Sequence, residues 1–395
     1  MTLPPLATRA RALSPSPTLG MTARAKAMKA RGLDVISLAA GEPDFNTPDA
    51  VCQAAKDALD AGITKYTPSA GLPALREAIA QKLCAENRLD VQANQVVVSC
   101  GAKHSVFNAM QVLVEPGDEV ILIAPYWATY ADQVRLAGGI PVVVRTEQKD
   151  GFVPSREALS EAVTSRTRAI VVNSPCNPTG AVFDRETLKT VGMLALRHNL
   201  WIISDEIYEH LTYGVAFEST AALGRDIAER TITVGGFSKS FSMTGWRLGY
   251  CAAPPEIAQA MSNLQDQVTS NPTSFAQMGA IRALELPPSE VASMRQTFER
   301  RRDQFVSALQ RVPGFRVEMP KGAFYAFADV SGVLGRQIAS DVELAEALLD
   351  EALVATVPGT YFDAPGFLRL SYACSEAHLE EAVRRIDRFV QERFS

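Results

Sequence analysis

Six short runs rich in Val and Ile recur between residues 95 and 240, set apart by stretches of helical character, and this alternation restricts the chain to few folds. They are QVVVSC (95–100), DEVILIAPY (118–126), IPVVVRT (140–146), AIVVNSP (169–175), LWIISDEIY (200–208) and TITVGGFSKS (231–240). Such runs are apolar throughout rather than alternating, which suits strands covered on both faces, and strands separated by helices pair in parallel. Residues 48–61 (PDAVCQAAKDALDA) and 73–87 (PALREAIAQKLCAEN) have helical periodicity and open with proline in the first turn, where its missing N–H costs nothing. The pattern predicts an α/β large unit over residues 46–290, built on a mostly parallel sheet covered by helices. From about residue 288 the texture changes to a long charged helix (PSEVASMRQTFERRRDQFVSALQRV) followed by FRVEMP, AFYAFADV and FLRLSYA, the pattern of a smaller α/β unit. The first 45 residues show no strand pattern of their own and are expected to pack on that unit, so that the small domain comprises 1–45 and 291–395.

A chain of 395 residues is long enough to bury a deep site, and its net charge of -5 provides neither the basic footprint of a nucleic-acid binder nor a polybasic membrane signal. Small-molecule chemistry is the class left open. Cys52, Cys84, Cys100, Cys176, Cys251 and Cys374 are scattered without CxxC spacing, so neither a metal site nor a disulfide framework is expected, and a reducing cytoplasm fits. The apolar runs fall far short of the ~20 residues needed to cross a bilayer. The N-terminal MTLPPLATRARALSPSP is basic and Ser/Pro-rich but has no continuous apolar stretch, and it reads as an arm of the mature chain.

The stretch richest in chemistry is GGFSKSFSMTGWRLGY (235–250), where Lys239 follows a strand-like run and Arg247 comes eight residues later in a glycine-flanked turn. A lysine on a loop is ordinarily solvated. One held beside a cation and partly out of water loses its proton more easily and becomes a nucleophile, while an arginine can fork onto a phosphate.

These residues resemble the lysine signature of class I aminotransferases, a branch of the fold-type I pyridoxal-phosphate enzymes. Further motifs of that family follow in order: AAGEPDF (39–45), KYTPSAG (65–71), GAKHSVF (101–107), APYW (124–127), NSPCNPTG (173–180), SDEIYEH (204–210) and LRLSYA (368–373). The resemblance covers nearly the whole chain and implies pyridoxal 5′-phosphate as cofactor, joined to Lys239 as a Schiff base, with Ser238 beside it in the cofactor-binding set. Asp205 would pair with the protonated pyridine nitrogen, Tyr208 and Asn177 with the phenolic oxygen, and Trp127 would stack on the ring. Gly101, Ala102 and Lys103 open a helix whose first N–H groups can cradle the phosphate. Arg369 would grip the substrate α-carboxylate with help from the Gly41 backbone, and Trp127 and Asn177 border the same substrate. Tyr66 resembles the tyrosine that reaches the neighbouring subunit's cofactor, which implies a homodimer.

Substrate choice rests on Lys103, Ser16 and Thr18, which resemble the branch of aspartate aminotransferases that uses a lysine for the distal carboxylate and includes enzymes acting on prephenate. The expected reaction moves an amino group from L-aspartate to 2-oxoglutarate, with ping-pong kinetics. Two other readings are a pyridoxal-phosphate C–S lyase acting on a thioether amino acid, and a non-catalytic ligand sensor built on the same fold. The Lys103 and Thr18 pair weighs against the first, and the complete catalytic set against the second.

Overall fold

The computed structural model describes residues 4–11, 13, 17–335 and 337–394, and for residues 17–19 the backbone alone. A two-residue strand, β1 (Ile36–Ser37), precedes the strands of the main sheet: β2 (Val96–Ser99), β3 (Glu119–Ala124), β4 (Ile140–Arg145), β5 (Thr167–Asn173), β6 (Trp201–Asp205), β7 (Thr231–Gly236) and β8 (Gly249–Ala252). Their order is β2-β8-β7-β6-β5-β3-β4, and only β8 runs against its neighbours. Each predicted run contains one strand, and the two early helices form as Asp49–Asp60 and Pro73–Asn87. The sequence pattern did not reveal β8, because GYCA is four residues long and bears glycine where a strand ordinarily bears a packing side chain.

Both faces of the sheet are covered, as the uninterrupted apolar runs require. Along β3, Val120 and Leu122 join one buried cluster while Ile121 and Ile123 join another, and β5 repeats this with Ala169 and Val171 against Ile170 and Val172. Neighbouring side chains on a strand point to opposite faces, so one run feeds two cores, and each fully buried Val, Ile or Leu contributes about 1.5–3 kcal/mol.

After the long helix Pro288–Leu309, the C-terminal part forms β9 (Arg316–Val317), β10 (Tyr325–Asp329), β11 (Val354–Ala355), β12 (Val357–Pro358) and β13 (Phe367–Ser371). Four of these make an antiparallel sheet in the order β12-β13-β10-β9. The first 45 residues do contribute a strand after all: β1 pairs in parallel with β11, Ile36 opposite Val354. Two residues are too few to leave a periodic signal. The same end of the chain is pinned by Arg24, whose Nη2 lies 2.7 Å from Asp350 Oδ2, and by an ion pair of Arg385 with Asp34. Among the described residues no helix is long and apolar enough to cross a membrane.

The sheet fixes where chemistry can gather. The carboxyl ends of β2, β3, β5, β6 and β7 lie along one edge, and β8, running the other way, begins there. Open α/β sheets bind ligands at this edge. Contact between β8 and the turn after β2 is backbone to backbone: a Cβ on Gly249 would lie 2.1 Å from the Ala102 nitrogen. Gly249→Ala is therefore expected to lower the unfolding free energy by about 1–3 kcal/mol, read as a lower midpoint in denaturant. Gly245→Ala, where a Cβ would meet nothing within 4 Å, is expected to leave the midpoint in place. Equal midpoints for the two variants would rule out this close approach.

Candidate active site

Loops leaving that edge enclose a cavity of about 480 Å³ whose wall includes Gly41, Ala102, Lys103, Trp127, Asn177, Asp205, Tyr208, Ser238, Lys239, Arg247 and Arg369. Eleven residues singled out in the sequence thus meet in one place. Gly101 adjoins it as the residue before the helix Ala102–Leu113. Tyr66 is 91% exposed and does not line this cavity. Ser16 lies outside the described residues, as does the side chain of Thr18.

Lys239 follows β7, and its amine faces the cavity, donating a hydrogen bond to the Gly41 carbonyl and lying 5.9 Å from the Tyr208 ring centre. Burial lowers its pKa to about 8; Glu42 pulls it upward, Arg369 and Arg247 push it down, and Asp205 pulls it up. The amine is therefore poised between ammonium and free base near neutral pH, as a group that must both attack a carbonyl and carry a proton requires.

Asp205 is the last residue of β6 and is buried. Its Oδ2 accepts from the Tyr130 hydroxyl at 2.6 Å and its Oδ1 from the Ile207 N–H at 3.3 Å. Burial raises its pKa, and the Tyr130 bond works in the other direction. A carboxylate so placed is well suited to a cationic N–H partner in the cavity. No helix starts there, which removes the helix-capping role that Asp205 could otherwise have filled.

At the other pole Gly101 takes φ +89°, and a Cβ on it would lie 2.5 Å from the Arg247 guanidinium, so glycine lets the arginine lie against the turn. Arg247 itself has φ +55°, a conformation that non-glycine residues adopt rarely and that concentrates at functional sites. With the helix N-terminus, Ser238 and Arg247 together, the geometry suits a phosphate. Lys103, one residue into the helix, lies 4.8 Å from the centre of the Trp127 ring. Burial, then Arg247, lowers its pKa.

Arg369, the third residue of β13, is only 3% exposed. It donates from Nη1 to Asn177 Oδ1 (2.9 Å) and from Nη2 to the Ala39 carbonyl (2.8 Å), while its buried Nε has no hydrogen-bond partner among the described residues. A buried guanidinium with a donor to spare is a ready carboxylate receptor. Tyr325, which carried no sequence signal, stacks 4.5 Å from that guanidinium and shares a 2.8 Å hydrogen bond with Tyr208. Tyr130, Glu42 and Lys26 were likewise not anticipated on the wall. Nothing in the local sequence of Tyr130 or Lys26 separates them from packing or surface residues, whereas Glu42 lies in the AAGEPDF motif but was not singled out there.

Behind Asp205 lies a second polar cluster. Glu209 accepts from Lys82 (2.5 Å) and Asn87 (2.6 Å), and although burial is the largest single influence and opposes its charge, Lys82, His210 and Asn87 together outweigh it and keep its pKa low. Glu206 bonds Ser204, Ser219 and the Thr220 N–H, yet burial and Glu209 push its pKa up to about 7.

The depressed basicity of Lys239 has a direct consequence. In cofactor-free protein, reductive alkylation at Lys239 is expected to rise with pH and reach half its plateau near pH 8, since the neutral amine prevails above that value. Glu42→Gln removes a charge that favours the ammonium form and is expected to shift the midpoint lower. A midpoint at the ordinary lysine value of 10.5 would show that the amine is solvated.

Over residues 33–386 the sequence matches the family described as Aminotransferase class I and II. It is 50% identical over 390 residues, 98% of this chain and 99% of the other, to a protein of Aquifex aeolicus (strain VF5) named probable aspartate/prephenate aminotransferase. It is 47% identical over 388 residues, again 98% and 99% of the two chains, to an aspartate aminotransferase of Bacillus sp. (strain YM-2). The solved structure of aspartate aminotransferase from Thermus thermophilus with maleate, 44% identical, superposes with a TM-score of 0.94 over 98% of this chain and 100% of that one. A lysine amine near neutrality, a buried carboxylate, an aromatic wall and an anion cradle around one cavity also fit the cofactor of that family, and the chain belongs to the class I and II aminotransferases, pyridoxal-phosphate enzymes of fold type I.

Proposed function

We propose that the protein transfers the amino group of L-aspartate to 2-oxoglutarate in a ping-pong cycle and also acts on prephenate, as a cytoplasmic homodimer. The observation that carries the dicarboxylate reading is a second cation: Lys103 reaches the same cavity as Arg369 but from a different element, the start of the helix Ala102–Leu113. Arg369 holds the α-carboxylate, and Lys103 the distal one. The names of the relatives support this choice. Ser16 and Thr18, as the resemblance implies, would add hydrogen bonds to the distal carboxylate, and Tyr66, exposed in its own chain, would extend to the neighbouring subunit's cavity. The large unit spans 46–290, and the small one comprises 1–45 with 291–395.

Pyridoxal phosphate, when bound, supplies a carbonyl for the amino group and a ring that draws electrons from the substrate Cα. Asp205 would hold a proton at the ring nitrogen, and Tyr208 and Asn177 would bind the phenolic oxygen. Trp127 would lie against the ring. Ser238, Arg247 and the N–H groups at Gly101, Ala102 and Lys103 would hold the phosphate. Arg369 and the Gly41 backbone align the substrate so that its Cα–H faces Lys239, whose amine would move that proton from Cα to C4′ of the cofactor and, in the second half of the cycle, carry out the same transfer in reverse.

The test is the absorbance of the purified holoenzyme before and after L-aspartate without acceptor, with the released oxo acid identified. A spectral shift with stoichiometric oxaloacetate is expected; a cofactor band that ignores aspartate but answers to a neutral amino acid would overturn the dicarboxylate reading. Lys239→Ala is expected to abolish turnover. Lys103→Ala is expected to reduce kcat/KM for aspartate by about 10- to 100-fold more than for alanine, the weight of one charge-assisted hydrogen bond. Equal losses on the two substrates would remove Lys103 from the distal site.

A further inference from the structure

The segment 39–47 touches both functional cations. The Ala39 carbonyl accepts from Arg369, and the Gly41 carbonyl from Lys239. The same segment is sewn to the loop that follows Lys239: Thr244 Oγ1 donates to Glu42 Oε2 (3.0 Å), Thr47 Oγ1 donates to the Ser242 carbonyl (2.7 Å), and Trp246 Nε1 donates to Thr47 Oγ1 (3.0 Å). On its other side it meets Arg301 and Phe298 of the long helix Pro288–Leu309. Arg301, with 8% of its side chain exposed, places Nη1 2.7 Å from Asp44 Oδ1 and Nε 3.5 Å from Glu376 Oε1. Its guanidinium carbon lies 5.4 Å from the Phe45 ring centre and 5.9 Å from that of Phe298, and these two rings meet edge to face.

A buried guanidinium costs several kcal/mol in lost hydration unless its N–H groups are used, and a hydrophobic residue of equal size often packs as well. Its presence here therefore calls for a job beyond packing. Arg301 joins three pieces of chain distant in sequence, and the strongest of its contacts is with the segment whose carbonyls orient Arg369 and Lys239. We infer that Arg301 is a positioning residue for substrate binding, which, through Asp44, holds the 39–45 segment so that Arg369 and the Gly41 backbone present one preformed receptor to the substrate carboxylate. Arg301 is not on the cavity wall, so its effect passes through that segment. The inference rests on Arg369 being the carboxylate receptor.

The experiment compares Arg301→Met, which preserves stem length and contact with the two phenylalanines, with Arg301→Lys and Asp44→Asn in the holoenzyme. Two quantities are measured: the dissociation constant of maleate, a dicarboxylate without an amino group, and KM and kcat for aspartate. Arg301→Met is expected to raise the maleate constant and KM about tenfold, the weight of a charged hydrogen bond, with kcat changed less than about threefold. Arg301→Lys recovers part of this loss. The double variant with Asp44→Asn is expected to be no weaker than Arg301→Met alone, because the two residues share one interaction. Should Arg301→Met fail to fold, Asp44→Asn alone carries the same expectation. A fall in thermal midpoint with the maleate constant and KM within about twofold of wild type would mean that Arg301 is a structural cation only, and the inference would fall. Arg369→Lys is the control: if it too leaves the maleate constant unmoved, the substrate-site reading fails, whereas a loss confined to Arg369→Lys overturns the role of Arg301 alone.

Discussion

Keeping the amine of Lys239 out of bulk water is the condition on which the whole site depends. Burial alone would favour the neutral form strongly, and Arg369 and Arg247 push in the same direction. Glu42 and Asp205 pull the other way, and the balance leaves the amine near the pH at which it must alternate between acid and base. In the proposed reading three of those charges bind substrate or cofactor, and Glu42 joins the loops through Thr244. The site is consequently one coupled electrostatic unit, in which a substitution at a carboxylate-binding residue also changes the acidity of the proton carrier.

That unit depends on backbone placement more than on side-chain variety. Asp205 ends β6, Lys239 follows β7 and Gly101 follows β2, so the functional groups stand along a single sheet edge whose spacing is fixed by ladder hydrogen bonds. Around them the polar groups are satisfied mostly by backbone carbonyls or buried tyrosines, such as Ala39 for Arg369 and Tyr130 for Asp205. Partners of this kind lose little side-chain entropy when the site forms. They hold the charged groups in a chosen direction without adding charges of their own.

Much of this was legible in the amino-acid order. Uninterrupted Val and Ile runs leave few options besides covered strands, and the residues nearest the chemistry occur in short motifs whose glycines and cations have no good structural reason to recur together. Three things were hidden for physical reasons. Strands β1 and β8 are too short to show periodicity, and both depend on partners far away in the chain. Tyr325 and Tyr130 look like ordinary core aromatics until the fold turns their hydroxyls toward Tyr208 and Asp205. The partners of Arg369 were hidden as well, because alternation along a strand locates the face of a sheet but not what covers it, and here Asn177 and the Ala39 carbonyl do so.

The close approach of Gly249 to Ala102 has a consequence for how such an enzyme can change. It ties the backbone of the anion cradle to the sheet itself, whereas the side chains of Lys103, on the first turn of the helix, and Lys26, on the arm helix Pro17–Ala30, line the cavity without such a tie. In the proposed reading the reacting groups are held by backbone and selectivity by side chains at the rim. The rim could then be altered residue by residue to take another amino donor, while the floor of the site, closed at Gly249 to anything larger than glycine, leaves no such freedom.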